Sequence, residues 1–185
     1  MVKKTNSSRL HTIDIILMAL FVSLMAICAW ISIPTAVPFT LQTFGVFVTC
    51  ALLGGKRGTM SIIVYIILGA IGIPVFAGFN SGAGTLLGPS GGYILGFILC
   101  AATMWGITSL LGDKTLVLIL AMVLGLVLCY SFGTAWFMLV YAKKSGAIAL
   151  GTALSWCVFP FVIPDIIKMA LAITLSKRVK KHLPI

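Results

Sequence analysis

Six apolar runs fill the chain between Ile13 and Leu175: Ile13–Ile33, Phe39–Gly54, Thr59–Val75, Gly91–Leu111, Leu116–Tyr141 and a bipartite stretch Ala147–Leu175. A helix crossing a bilayer needs roughly 20 mostly apolar residues, because the hydrocarbon is about 30 Å thick and each residue rises about 1.5 Å. Backbone N–H and C=O groups find no water there, so segments of this kind form helices, which pair those groups internally. The expected fold is an all-α integral membrane protein, a compact bundle of six transmembrane helices. Local chemistry marks the breaks: Pro34 and Pro38, "GGKRG", the glycine-rich "AGFNSGAGTLLGPSGG", "GDK" and "AKKSG". The second run is short, which points to tilt, a kink or partial embedding.

Hydrophobic residues make up 61% of the 185 residues and charged ones 9%, against the roughly 45–50% apolar content of a soluble domain. No cleavage pattern follows the first run, so it is read as a retained span. The whole chain, 1–185, is then one transmembrane domain with a polar tail at 1–12 and a basic tail at 177–185. The formal charge of +10 sits at the ends of the apolar runs, a membrane-topology pattern that points to a lipid bilayer and away from nucleic acid. Placing both termini in the cytoplasm puts Lys3, Lys4, Arg9, Lys56, Arg57, Lys114, Lys177, Arg178, Lys180 and Lys181 inside and leaves Lys143 and Lys144 outside. The loops Pro34–Thr40 and Ala77–Ser90, both without charge, then face outward.

Catalytic chemistry lacks its parts. The acidic residues are Asp14, Asp113 and Asp165, and the two histidines, His11 and His182, lie in the polar ends. The cysteines at 28, 50, 100, 129 and 157 are scattered through apolar segments without a Cys-x-x-Cys pair, the pattern of small buried hydrophobes. No metal and no cofactor is expected. The glycine-rich loop has no Gly-x-x-x-x-Gly-Lys-Ser/Thr and follows no strand, so a nucleotide site is not expected either.

Against this background "PDIIK" stands out, because Asp165 and Lys168 lie one turn apart inside the last apolar run. Lys177 marks the cytoplasmic edge, and 12 residues of helix before it span about 18 Å, which sets Asp165 somewhat past the midplane toward the outside. Pro164 before it suits a first helical turn, where Asp165 would interact with the helix dipole. A three-apart pair returns about 0.2–0.5 kcal/mol, whereas an intramembrane charge costs about 3 kcal/mol on the lenient scales. A pair facing an outward cavity avoids much of that cost and offers a polar solute an acceptor beside a donor. A structural ion pair and a proton relay are the alternatives.

In the outer loop, Asn80 carries both an amide donor and an acceptor, and Tyr93 an aromatic face with a hydroxyl. Irregular glycine-rich backbone at that depth is tolerated where it lines a cavity or packs on protein. Small residues four apart, Gly92 with Gly96 and Ala19 with Ser23, allow helix backbones to approach closely.

The stretches "VPFTLQTFGVF", "LLGGKRG", "YIILGAIGIPVFAG", "LLGPSGGYILGF" and "PFVIPDIIKMALA" together resemble the BioY family, the biotin-specific S components of energy-coupling-factor (ECF) transporters. The resemblance spans Val37 to Ala172. It implies a cell-membrane protein of a prokaryote that captures biotin from the outer face, with Asn80, Tyr93, Asp165 and Lys168 at the matching motifs as the substrate-binding set. It also implies a transmembrane coupling protein and two ABC-type ATPases as partners, since the chain has no nucleotide motif of its own. S components meet the coupling protein through small residues of the first helix; the match here is "ALFVS", with Ala19 and Ser23, and the serine departs from the Ala-x-x-x-Ala pattern. Biotin's ureido ring presents two N–H donors and a carbonyl. Asp165 would accept one N–H with help from Asn80, while Lys168 would either orient Asp165 and bond the ureido oxygen or neutralise the carboxylate. Rival readings are an S component for another vitamin and a small channel or facilitator lined by Asp165 and Lys168.

Overall fold

The computed structural model describes residues 11–35 and 37–182. The tail at 1–10, with Lys3, Lys4 and Arg9, and residues 183–185 lie outside the described residues. The elements are α1 (Thr12–Trp30), β1 (Ser32–Ile33), β2 (Phe39–Thr40), α2 (Gln42–Ala70), a 3-10 turn (Ala77–Phe79), α3 (Ala83–Leu86), α4 (Gly91–Leu111), α5 (Thr115–Ser145), α6 (Leu150–Cys157) and α7 (Phe159–His182). Five helical stretches are long and apolar enough to cross a membrane: Thr12–Trp30, Gln42–Ala70, Gly91–Leu111, Thr115–Lys143 and Leu150–Lys181.

The second and third apolar runs form one element with a sharp break. Gly54 has φ 77° and ψ 171°, a left-handed conformation that glycine adopts without a Cβ penalty. The arms 42–53 and 55–70 fold back on each other there. Gln42 Nε2 donates to Tyr65 Oη at 2.6 Å, whereas 23 residues of straight helix would hold the two about 34 Å apart. A Cβ on Gly58 would lie 2.8 Å from Cys50 Cα, so the arms touch backbone to backbone just after the turn.

Some of the remaining boundaries differ from the sequence expectation. Phe39 and Thr40 pair in an antiparallel two-residue ladder with Ser32 and Ile33 instead of starting a helix. The loop after Ala70 contains the 3-10 turn and α3. The last run is bipartite as expected, with the break at Val158 (φ −125°, ψ −58°) between α6 and α7. The first-turn placement of Asp165 is overturned: α7 begins at Phe159 and has no acid in its first turn, so Pro164 and Asp165 lie inside the helix. What holds the carboxylate there is side-chain chemistry from other helices.

Gly92 and Gly96 do bring helices together. A Cβ on Gly92 would lie 2.2 Å from Trp136 Cβ, and one on Gly96 2.9 Å from Cys129 Sγ, so α4 packs against α5 at a distance no larger side chain permits. Ala19 and Ser23 face outward instead, with the Ser23 hydroxyl turned back onto the Ala19 carbonyl at 3.0 Å. All five cysteines are buried thiols.

Polarity is inverted relative to a soluble protein. Leu20, Ile67, Val127, Leu128, Ile163 and Ile167 are exposed, while Asp165 and Lys168 are 1% and 5% exposed. Lipid is the solvent that makes this arrangement favourable. At one end the Gly54 break, the α4–α5 connection with Asp113, and Lys180 of α7 come together around a small crevice. Arg57 bridges to buried Asp14 at 3.1 Å in the same polar zone, and the Asp14 carboxylate also accepts the His11 backbone N–H at 3.1 Å, closing the start of α1. At the other end Trp30 donates to the Pro74 carbonyl at 2.8 Å and stacks on Phe79.

Candidate functional site

Two apolar clusters leave a space between them. The main core runs through α1, α2, α4 and α5 and includes Phe76, Ile94, Phe97 and Cys129; the smaller one gathers Val37, Tyr93, Phe137, Ala153, Cys157 and Phe161. Members of both line a cavity that is partly open to solvent. The polar side chains in its wall include Thr40, Gln42, Thr43, Asn80, Tyr93, Tyr130, Asp165 and Lys168.

Asp165 and Lys168 form the centre of its buried floor, with Lys168 Nζ 2.7 Å from Asp165 Oδ1. Thr43 donates to the same oxygen at 2.8 Å, and Tyr130 donates to Oδ2 at 2.5 Å. Lys168 has two further acceptors, the Thr40 carbonyl at 2.7 Å and Thr43 Oγ1 at 3.2 Å, and the Phe39 ring lies 4.6 Å from its ammonium. A buried ion pair is tolerable only when such hydrogen bonds satisfy its remaining valences. Here α2, the β2 strand, α5 and α7 all contribute to them. An ammonium has three protons, all engaged here, whereas Asp165 Oδ2 keeps one free lone pair and so does the Tyr130 oxygen.

Beside the pair lies a neutral network. Thr40 Oγ1 donates to Gln42 Oε1 at 3.2 Å and accepts the Gln42 backbone N–H at 3.1 Å. Gln42 donates one amide proton to Tyr65, whose hydroxyl donates to the Val75 carbonyl at 2.7 Å. The second amide proton of Gln42 stays available at the cavity wall.

All four residues expected at a binding site line this one cavity. Asn80 is at the exposed mouth with its amide nitrogen 2.7 Å from the Ala77 carbonyl. Tyr93 is buried and its hydroxyl pairs with Thr134 Oγ1 at 2.9 Å. Thr40, Gln42, Thr43 and Tyr130 were not singled out from the sequence. A signal existed for all four: "TLQT" packs Thr40, Gln42 and Thr43 into a short apolar run, and Tyr130 is a hydroxyl-bearing ring in the middle of a long one.

The profile of the BioY family matches residues 2–185. This chain belongs to the BioY family. Among BioY relatives, it is 39% identical to "Biotin transporter BioY" of Thermotoga maritima over 163 residues, covering 88% of this chain and 92% of that one. It is also 39% identical to "Probable biotin transporter BioY" of Pyrococcus horikoshii over 168 residues, covering 90% and 96%. A 2.1 Å crystal structure titled as the S-component for biotin from an ECF-type ABC transporter superposes with a TM-score of 0.81 at 26% identity, covering 97% of this BioY chain and 95% of that one.

Proposed function

We propose that this BioY chain is the biotin-capturing S component of an ECF-type transporter in a prokaryotic plasma membrane. The observation that carries the proposal is the buried Asp165–Lys168 pair at the floor of a cavity, inside an apolar helix, with every ammonium proton engaged and one carboxylate lone pair free. Such a pair is expensive in a membrane. It is worth keeping where it presents a fixed acceptor to a solute.

The chemistry fits a cyclic urea. Asp165 Oδ2 and the Tyr130 oxygen each have a lone pair for a ureido N–H, and the unengaged amide proton of Gln42 can serve the ureido carbonyl. Apolar walls from Phe76, Ile94, Phe97 and Phe161 suit the thiophane ring and the methylene chain. Asn80 and Tyr93 frame the rest of the cavity. Lys168 acts by holding Asp165 in place, since its protons are already engaged.

Counting the two arms of α2 separately, the chain crosses the bilayer six times as one membrane domain, with both termini in the cytoplasm and the cavity opening outward. The gathering of Arg57, Asp113 and Lys180 at the end opposite the cavity supports that orientation. Ala19 and Ser23, exposed on α1, face the transmembrane coupling protein, and two ABC-type ATPases supply the energy.

Equilibrium binding of a vitamin panel to the purified chain tests the assignment. The expected result is saturable binding of about one biotin per chain, with a dissociation constant in the nanomolar range, which demands about −12 kcal/mol from a small solute. Tight binding of riboflavin or thiamin without biotin would point to another S component, and flux without saturation to a channel.

A further inference from the structure

The cavity has two ends of unequal chemistry. At its floor, Asp165, Lys168, Thr40 and Gln42 are buried; at its mouth, Asn80 is exposed and Thr85 and Ser90 are half-buried. Among the described residues lining it, Lys168 is the sole cation, and it already faces Asp165 Oδ1, the Thr40 carbonyl and Thr43 Oγ1, with the Phe39 ring against it. No lining side chain is therefore left to neutralise a carboxylate. The mouth is neutral: Asn80 donates to the Ala77 carbonyl at 2.7 Å and Thr85 to the Ser81 carbonyl at 2.8 Å.

A carboxylate at the floor would have to pull Lys168 away from Asp165 and leave that acid unpaired in a buried place, which is strongly unfavourable. At the mouth it stays in contact with water, where neutral hydrogen-bonding side chains discriminate little between an anion and an amide. From this contrast, and resting on the biotin reading above, we infer that the site reads the ureido end of its ligand and leaves the carboxyl end unread. Biotin carboxamides, in which the carboxyl carbon is joined to ammonia or to a primary amine, are then ligands of the same rank as biotin itself.

Titration calorimetry on the full chain in detergent tests this with three probes: biotin, biotin primary amide, and a biotin methylated at a ureido nitrogen. The expected pattern is a dissociation constant for the amide within about fivefold of biotin's, and a loss of about tenfold (1.4 kcal/mol) or more for the ureido-methylated compound. An amide weaker by more than fivefold overturns the inference while leaving biotin binding intact. Binding of neither biotin nor its amide, with another vitamin bound instead, overturns the functional reading and this inference together. The same comparison in Lys168→Met supplies a second readout that does not depend on full affinity: the amide-to-biotin ratio should match wild type. A variant that loses a preference for the free acid would assign Lys168 to the carboxylate and sink the idea.

Discussion

Thr43 donates its hydroxyl to Asp165 Oδ1 at 2.8 Å across 122 residues of chain. Thr43 is in the second residue of α2 and Asp165 well inside α7, so this bond ties the start of one helix to the middle of another. With Tyr130 from α5 on the other oxygen, the carboxylate is held in a fixed plane. A preoriented acceptor loses little entropy when a ligand donates to it, which is the property a scavenger of a dilute solute needs.

Asp165→Asn should weaken biotin binding by about tenfold or more, or roughly 1.4 kcal/mol. The change puts an NH₂ where an oxygen now accepts from Tyr130 or from Lys168 and Thr43, so donor faces donor whichever way the amide turns. Calorimetry measures it. A loss below about threefold would mean that Asp165 serves the fold and not the ligand.

Lys168→Met should lower thermal stability more than any single change at the mouth, because an unpaired buried carboxylate costs about 3–5 kcal/mol. Adding Asp165→Asn to that variant should recover part of the loss, since the second change removes the stranded charge. Melting curves of both singles and the double give the comparison. Strictly additive losses would show that the two residues do not act as a pair.

Tyr130→Phe keeps the ring but removes the donor to Asp165 Oδ2. A hydrogen bond to a charged group contributes about 1.5–3 kcal/mol, so binding should fall by about tenfold or more. Tyr141→Phe is the matched control: Tyr141 stacks on Phe137 and does not line the cavity. Equal effects of the two would remove Tyr130 from the site.

Ala19→Trp adds bulk to an exposed position on α1 that does not line the cavity. Biotin affinity of the purified chain should stay unchanged, while biotin uptake by cells carrying the full ECF module should fall sharply. Normal uptake would move the coupling-protein contact to another face.

Length and polarity of the apolar runs already dictate a helical membrane protein, because in hydrocarbon no other way exists to satisfy the backbone of a twenty-residue apolar segment. The same reasoning singles out Asp165 and Lys168, since an intramembrane charge is too costly to be incidental. Gly54 was legible as a break, and Gly92 with Gly96 as a close approach, for both depend on local sterics. The motifs around these residues carried the family.

Tertiary structure alone decided which neutral groups complete the site. Thr43, Gln42 and Tyr130 look like ordinary polar residues of apolar helices, and only the fold of α2, α5 and α7 against each other brings two of them onto Asp165. It also decided what Lys168 can do. A charge can be read from one letter, but the number of its protons still free depends on the Thr40 carbonyl and the Thr43 hydroxyl, 128 and 125 residues away along the chain. Hydrogen bonds saturate, and saturation is a property of the assembled neighbourhood, not of the residue.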